Sequence, residues 1–350
     1  MRLSGFSELT HREQEVLRYI IQNFIVTASP VASKTLVDRY RLNISSATVR
    51  NAMNSLESKG LLDHPHTSSG RIPTEDGYRL YVNSLMQVSV LSKEEGQILD
   101  TIRTYLSTDV DEAVQSAARI LARLSNLLAV VIAPKLAQGV FRKIELVSIS
   151  SNRILVVLTI ESGIIKTLTV EVQTEISPAE MERVSRFLNE RLHGYKLSEI
   201  TNKIDEMLAG FDGDVSSGLI RVFLDSADTI FDDRQLRKFH FGGVEYMALQ
   251  PEFSDLSNYK GIVELLENED MIIHLFDESE TKQNDREVQI RIGKENKIQQ
   301  VEQCSVVSAN YHYGGIQGTI GLVGPTRMNY SRMVALVEQL ANRLNLFNPG

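Results

Sequence analysis

Residues 45–58 combine an arginine, asparagines and small hydroxyl residues at helical spacing, and these side-chain types suit base recognition in nucleic acid. With 3.6 residues per turn, one face of the predicted helix holds Ala47, Arg50, Asn51, Asn54 and Ser58. Arginine pairs bidentately with guanine and asparagine with adenine in the major groove. We therefore predict that the first four of these residues contact base edges. The hydroxyls of Ser46 and Thr48 are predicted to lie near phosphates.

The opposite face of this segment is apolar. Residues at positions i, i+3, i+4 and i+7 form one stripe that can pack inward, namely Val49, Ala52, Met53 and Leu56. Ser45 suits the N-cap, and Gly60 suits the left-handed residue that ends a helix. An ordinary amphipathic surface helix has the same two faces. The flanking segments must decide between the two interpretations.

Two further helices are predicted upstream of residue 45. Residues 10–27 begin with a capping-box pattern, Thr10 with Glu13, and the residue before Pro30 is disfavoured in a helix. Ser33 is predicted to cap a short helix that ends near residue 41. Three helices, of which the last two are joined by a tight turn, are typical of a helix-turn-helix unit.

A small β-hairpin is predicted downstream. Residues 61–64 are long enough for one strand, residues 67–70 are turn-forming, and a second strand begins at Arg71 and stops at Pro73. We predict that Arg71 lies at or near the tip of this wing, where it binds phosphate or enters a minor groove. Thr74 then caps another helix. The pattern favours a winged helix-turn-helix domain that spans residues 1–87.

Two widely separated parts of the chain resemble one known family, the heat-inducible transcription repressors HrcA. The motifs that carry the resemblance are LTHRE at 9–13, SSATVRNAM at 45–53, LESKGLL at 56–62, TSSGRIPTEDGYR at 67–79 and GLVGPTRMNY at 321–330. The resemblance implies a dimeric repressor of chaperone operons that binds an inverted-repeat operator, called CIRCE, and is released on heat stress. It also implies a GroE-type chaperonin as a partner.

The resemblance further implies an α+β multidomain fold. We expect a GAF-like α+β domain formed by residues 88–194 and 285–350, with an α/β dimerisation domain, residues 195–284, inserted in it. Alternating strands at 141–172 are assigned to the same sheet as strands near 288–292 and 304–311. Within the inserted domain, short strands are predicted at 245–249 and 271–275. A charged segment at 277–285 is interpreted as a solvated linker.

Composition restricts the cellular setting. The 350-residue chain has a net charge of −8, but residues 1–86 hold ten lysines and arginines against eight acidic residues, so the acidic excess lies in the body. The single cysteine, Cys304, excludes an intramolecular disulfide and fits a reducing compartment. No signal peptide is evident, and no apolar run approaches the ~20 residues that span a bilayer. We expect a cytoplasmic protein without a membrane partner.

Other chemistry is weakly supported. The glycines of residues 314–324 lack the lysine and hydroxyl of a phosphate-binding loop. His64 and His66 are fewer than the four ligands of a structural zinc site, and His312 reads as a strand residue. No nucleophile, base and orienting group form a set. We therefore expect no enzyme activity, no cofactor and no metal.

Two functional classes remain open at this point. The first is an operator-binding repressor whose control acts through folding or a chaperone. The second is a winged-helix regulator whose GAF-like domain binds a small molecule that gates DNA binding. A metabolite that shifts DNA affinity in a saturable way would identify the second class, whereas chaperonin-restored binding after mild heating would identify the first.

Overall fold

The computed structural model describes residues 9–65, 70–105, 110–134, 136–172, 176–209, 217–231, 239–276 and 288–346. Within these ranges the chain is mixed α/β, with a helical N-terminal region. The helices are α1 His11–Thr27, α2 Ser33–Tyr40, α3 Ser46–Ser58, α4 Glu75–Leu80, α5 Lys93–Asp100, α6 Val110–Ser125, α7 Pro178–Leu192, α8 Leu197–Met207, α9 Ser217–Asp225, α10 Ala227–Phe231, α11 Val244–Ala248, α12 Leu256–Glu267, α13 Glu269–Phe276 and α14 Tyr330–Asn345. The strands are β1 Leu62–Asp63, β2 Ile72–Pro73, β3 Leu128–Ile132, β4 Phe141–Ser150, β5 Arg153–Ile160, β6 Ile165–Glu171, β7 Phe239–Gly242, β8 Val288–Ile292, β9 Cys304–Tyr313 and β10 Ile316–Pro325.

The N-terminal region follows the predicted order of elements. Three helices, α1 to α3, precede a short antiparallel pair in which Leu62 lies opposite Pro73 and Asp63 opposite Ile72. Pro73 is the last residue of this ladder, which is where the strand is predicted to stop. Ser33 is the first residue of α2, because Ala32 occupies the N-cap position. The predicted turn at 67–69 lies outside the described residues.

A five-stranded antiparallel sheet forms the centre of the body, in the order β7-β3-β10-β9-β8. Successive residues of a strand point to opposite faces. In β3, Leu128 and Val130 therefore pack in a cluster with residues of α11, α12 and α13, while Ala129 and Val131 pack with α6 and α14. Both faces of this sheet are covered by helices.

The hairpin between β9 and β10 accounts for the glycine-rich segment. Tyr313 pairs with Ile316, and the two residues between them have positive φ, +57° at Gly314 and +78° at Gly315. A two-residue hairpin with both φ values positive is a type I′ turn, which favours glycine. At Gly318 a Cβ atom would lie 2.4 Å from Cζ of Tyr311, so this glycine lets the ring cross its own strand pair. These glycines serve the hairpin.

A second, three-stranded sheet, β4-β5-β6, is separate from the first. The chain leaves the five-stranded sheet after Ile132 and returns to it at Phe239, which pairs with Ile132. Helix α7 packs on β4, where Asn189 Oδ1 accepts from the Ile144 backbone N–H at 2.7 Å and Ser185 Oγ donates to its carbonyl at 2.7 Å. The described residues between Ile132 and Phe239 therefore form a structural layer separate from the five-stranded sheet.

Several predictions about the body are therefore wrong. Residues 141–172 do not share a sheet with 288–292 and 304–311, and 239–242, predicted to belong to the insertion, is an edge strand of the five-stranded sheet. Residues 245–249 and 271–275, predicted as strands, lie almost entirely in helices α11 and α13. Short apolar runs do not distinguish a strand from a buried helix. The predicted linker at 277–285 lies outside the described residues.

The N-terminal region packs on the body through polar and aromatic contacts. Tyr78 of α4 stacks obliquely on Tyr330, with ring centroids 5.8 Å apart. Arg79 pairs with Glu295 and donates to the Ile290 carbonyl at 2.8 Å. Across the same junction, Arg327 donates to the Ile25 carbonyl near the end of α1 at 2.6 Å. These contacts fix where α1 to α4 lie relative to the five-stranded sheet.

Candidate nucleic-acid interface

Helix α3 has the two faces that the sequence predicts. The four apolar residues of the inward stripe are buried, none of them more than 8% exposed: Val49, Ala52, Met53 and Leu56. The residues predicted to contact DNA lie on the other side; Ser46, Ala47, Arg50, Asn51 and Asn54 are exposed and Thr48 is half-buried. The helix thus presents a slim polar face to solvent while its apolar stripe packs on α1 and α2.

Both ends of α3 are capped as predicted. The Ser45 hydroxyl accepts from the Thr48 backbone N–H at 3.1 Å and is 2.9 Å from the Thr48 hydroxyl. At the other end Gly60 has φ +75°; its N–H donates to the Glu57 carbonyl, and the Leu61 N–H donates to the Leu56 carbonyl. This bond pair is a Schellman motif. The caps set the length of the exposed face.

A buried carboxylate holds α3 against α1. The Glu13 side chain is 8% exposed and accepts from Lys59 Nζ at 2.7 Å and Ser55 Oγ at 2.7 Å. It also accepts from the Thr10 backbone N–H at 2.8 Å, which completes the predicted capping box. The Lys59 hydrogen bond, supported by those from Ser55 and Thr10, outweighs desolvation and lowers the pKa of Glu13 to about 2. One carboxylate therefore ties α1 to both the last turn and the cap of α3.

We expect Glu13→Gln to loosen the packing of α3 on α1. Because the folded-state pKa lies below the ordinary value of 4.5, the carboxylate stabilises the fold above that pH, and its contribution is lost as the pH falls towards 2. The amide carries no negative charge to pair with the Lys59 ammonium, so the opening free energy of α1 and α3 should fall by about 2 kcal/mol at pH 7. Hydrogen exchange of peptides from both helices measures this.

The control for this prediction is Glu15→Gln. Glu15 is 43% exposed, and among the described residues its ion-pair partner is His11, 3.6 Å away in the same helix, so its loss should leave the exchange rates almost unchanged. The gap between Glu13→Gln and the parent protein should also narrow as the pH is lowered to 3. Equal protection of the two variants at pH 7 would contradict the role given to Glu13.

Arg71 does not lie at the tip of the hairpin loop. Its backbone exchanges two hydrogen bonds with Val31, at 2.9 and 3.0 Å, which places it at the base of the loop beside the segment that precedes α2. Its guanidinium points back to α3, donating to Glu57 Oε2 at 2.9 Å and to Asn54 Oδ1 at 3.1 Å. The side chain is 14% exposed. The predicted tip position is wrong.

The structure adds basic residues that the sequence analysis did not select. Lys34 and Arg39 of α2 are exposed, as is Arg41, which has φ +50° in the turn between α2 and α3. The N-cap residue of α2, Ala32, has no side-chain oxygen to accept from the first-turn N–H groups. The first helix of a helix-turn-helix crosses the DNA backbone. The prediction of α2 as that helix therefore already indicates that its exposed cations can contact phosphates.

Within the described ranges, no group of three or more histidine, cysteine, aspartate or glutamate side chains is arranged to hold a metal ion. None of the described helices has the length and apolarity needed to cross a bilayer. Cys304 is buried in β9, and burial raises the pKa of its thiol to about 12, which keeps the sulfur protonated. His66 lies outside the described residues.

Comparison with known proteins identifies the family. A family model described as the HrcA protein C-terminal domain matches residues 111–334. A heat-inducible transcription repressor HrcA from Chlorobium phaeobacteroides (strain BS1) is 38% identical over 348 residues, covering 97% of this chain and 98% of the relative. The chain belongs to the HrcA family. An HrcA from Natranaerobius thermophilus (strain ATCC BAA-1301 / DSM 18059 / JW/NM-WN-LF) is 36% identical and covers 97% of this chain and 96% of the relative.

HrcA proteins are transcription repressors, so this chain belongs to a family of non-enzymatic regulators. A solved structure described as a hypothetical protein at 2.2 Å resolution shares the fold, with a TM-score of 0.68 at 22% identity, and the match covers 97% of this chain and 98% of that one. The HrcA relatives span the N-terminal region as well as the body, so the helices α1 to α3 lie within the shared length.

Proposed function

We propose that this HrcA protein represses transcription by placing α3 in the major groove of an operator. The observation that carries the proposal is the exposed face of α3, where Arg50 and Asn51 stand on a helix whose other face is buried. Helices α1 to α3 with the β1–β2 pair then act as a winged helix-turn-helix domain, residues 1–87. Ala47 is small enough to let the helix approach base edges closely.

Each exposed side chain of α3 has a proposed role. Arg50 and Asn51 read base edges together with Ala47, and Asn54 does so one turn later. Ser46 and Thr48, at the capped start of the helix, lie near phosphates. The exposed cations of α2 and of the following turn, described above, add phosphate contacts. Arg71 lies beside this face, where its guanidinium binds the Glu57 and Asn54 side chains.

A homodimer would place one such domain on each half of an inverted repeat. The outer face of the three-stranded sheet supports a subunit contact there. Val147, Ile149 and Ile165 are 49%, 56% and 59% exposed on β4 and β6. On this proposal the inserted dimerisation domain consists of residues 133–238, which lie between strands β3 and β7 of the five-stranded sheet. The GAF-like domain then consists of residues 88–132 and 239–350, with borders that follow the strand pairing.

Release on heating and dependence on a GroE-type chaperonin extend the proposal from the family resemblance. A repressor of marginal stability changes its active fraction several-fold when folding free energy shifts by ~1–2 kcal/mol. Repression of chaperone operons from the cytoplasm would then respond to temperature through the protein's own fold. DNA competence that persists well above growth temperature would exclude this part of the proposal.

The proposed function is tested by fluorescence anisotropy of the full-length protein with labelled DNA. An inverted-repeat chaperone-operon operator is compared with a scrambled duplex at two salt concentrations. A preference of ~10³ or more for the operator is expected of a sequence-specific repressor. Equal and steeply salt-dependent binding to both duplexes, unchanged when chaperonin is added, would overturn the proposal.

A further inference from the structure

A connected set of three side chains joins the base of the β1–β2 loop to the exposed face of α3. Arg71 Nε lies 2.9 Å and Nη2 2.8 Å from Glu57 Oε2, and Nη2 also donates to Asn54 Oδ1 at 3.1 Å. Asn54 is exposed on the same face as Arg50, whereas the Arg71 side chain is only 14% exposed. The set therefore reaches from a shielded anchor to the surface proposed to meet DNA.

The chemistry of the guanidinium fixes the orientation of the Asn54 amide. A guanidinium carries only donors, whereas a carboxamide has an acceptor oxygen and a donor nitrogen. Asn54 must therefore turn Oδ1 towards Arg71, and its Nδ2 hydrogens face away from Arg71. Turning the amide over would set N–H against N–H and leave Arg71 without this acceptor. The orientation follows from which groups can donate, and it does not rest on telling oxygen from nitrogen by position alone.

Arg71 is itself held on three sides. The paired backbone hydrogen bonds with Val31 fix its Cα, and the Glu57 carboxylate fixes its guanidinium. The preceding residue, Gly70, lies so close to the chain before α2 that a Cβ atom would be 2.7 Å from the Pro30 carbonyl carbon. Because its guanidinium is anchored in this way, Arg71 cannot move with the Asn54 side chain if that side chain turns towards a different base.

We propose that Arg71 is a positioning residue that makes Asn54 a hydrogen-bond donor towards DNA. This inference rests on the proposed function. The usual asparagine–adenine pair uses both amide atoms, one accepting from N6 and one donating to N7. With Oδ1 turned towards Arg71 and away from the base, Asn54 presents its Nδ2 donors and selects guanine, with O6 and N7, or thymine, with O4. Adenine presents its N6 donor beside N7 and is disfavoured. Cytosine, which presents the N4 donor in the major groove, is rejected at that position.

The test measures base preference with the full-length protein. Four operators that differ at one base pair are compared by anisotropy, and the position is the one at which Asn54→Ala loses discrimination. The parent protein should prefer guanine or thymine over cytosine by roughly 5- to 100-fold, the range of a good base contact. Asn54→Asp keeps an oxygen for Arg71 but removes the outward donor, and it should reverse the preference towards cytosine.

Arg71→Ala supplies the second arm. Once the amide is free to turn, adenine should become acceptable at the same position, while discrimination at the base read by Arg50 stays unchanged. In the Asn54→Ala background, Arg71→Ala should have no further effect on base preference. Arg71→Lys, with a single ammonium in place of the fork, should restore the donor orientation only in part. If Arg71 served only to stabilise the domain, Arg71→Ala would instead weaken binding to all four operators alike.

Outcomes separate this inference from the function on which it rests. If the parent protein prefers adenine at the Asn54 position, or if Asn54→Asp lowers affinity for all four operators equally, the inference is overturned while operator recognition stands. If the parent protein and Arg50→Ala show no base preference at any position, the proposed function itself has failed. Because Asn54→Asp retains its bond to Arg71, this arm remains informative even if Arg71→Ala fails to fold.

Discussion

Arg50→Ala is expected to weaken operator binding by about 1–3 kcal/mol, roughly 5- to 150-fold in Kd, and to relax the preference at one base pair. Arg50 is exposed in the first half of α3, so its guanidinium can reach DNA. The neighbouring residue Val49 is fully buried, and its packing holds the helix in place. Alanine has high helix propensity, and α3 should therefore keep its shape. Anisotropy with single-base operator variants measures both effects.

Lys34→Ala is the matched control for Arg50→Ala. Lys34 is an exposed cation in the first turn of α2, where a phosphate contact is proposed. Its loss should weaken all sequences alike and lower the salt dependence, without a change in base preference. If Arg50→Ala instead left both affinity and base preference as in the parent protein, the assignment of α3 as the recognition helix would have to be abandoned.

Val147→Glu is expected to convert the proposed homodimer into a monomer and to lower operator affinity by ~10²-fold or more. Two linked half-site contacts exceed the affinity of one by 10²–10⁴-fold, and a monomer loses this gain. Val147 lies opposite Leu155 on the outer face of the β4-β5-β6 sheet and is 49% exposed. A buried charge without a partner would oppose a contact between two such faces. Sedimentation velocity and anisotropy give the two readouts.

The control uses the same substitution at an apolar residue outside the proposed contact. Val90 is 96% exposed, and Val90→Glu should leave both the proposed homodimer and operator binding unchanged. Circular dichroism should show that both variants keep their secondary structure, since neither side chain is buried. A Val147→Glu protein that still sediments as a dimer would show that the subunits meet elsewhere.

The N-terminal region shows how much local sequence determines. The caps at Thr10, Ser45 and Thr74 and the positive φ of Gly60 are all where the sequence predicts them. Each depends on residues at most five positions apart, through side-chain capping or backbone conformational freedom. The apolar stripe of α3 is likewise a local period. Such features can be read from the chain because the interacting groups are neighbours in sequence.

The motifs themselves also determined the family. The motifs at 67–79 and 321–330 indicate the HrcA family, which relatives at 36–38% identity over nearly the full chain confirm. They did not determine which strands pair. The alternation of residues 153–160 shows that this strand has a buried face, but not that β5 pairs only with β4 and β6 in a sheet of its own.

Tertiary structure alone decided the contacts between distant residues. Glu13 meets Lys59 across 46 positions, and Arg71 turns from the predicted wing tip back to Asn54, 17 positions earlier. β7 joins β3 although more than 100 residues separate them. In each case the partner is chosen by the packing of whole elements and by the need to satisfy buried charges and donors. Packing between elements and burial of polar groups arise only when the chain is folded, so a local sequence pattern does not encode them.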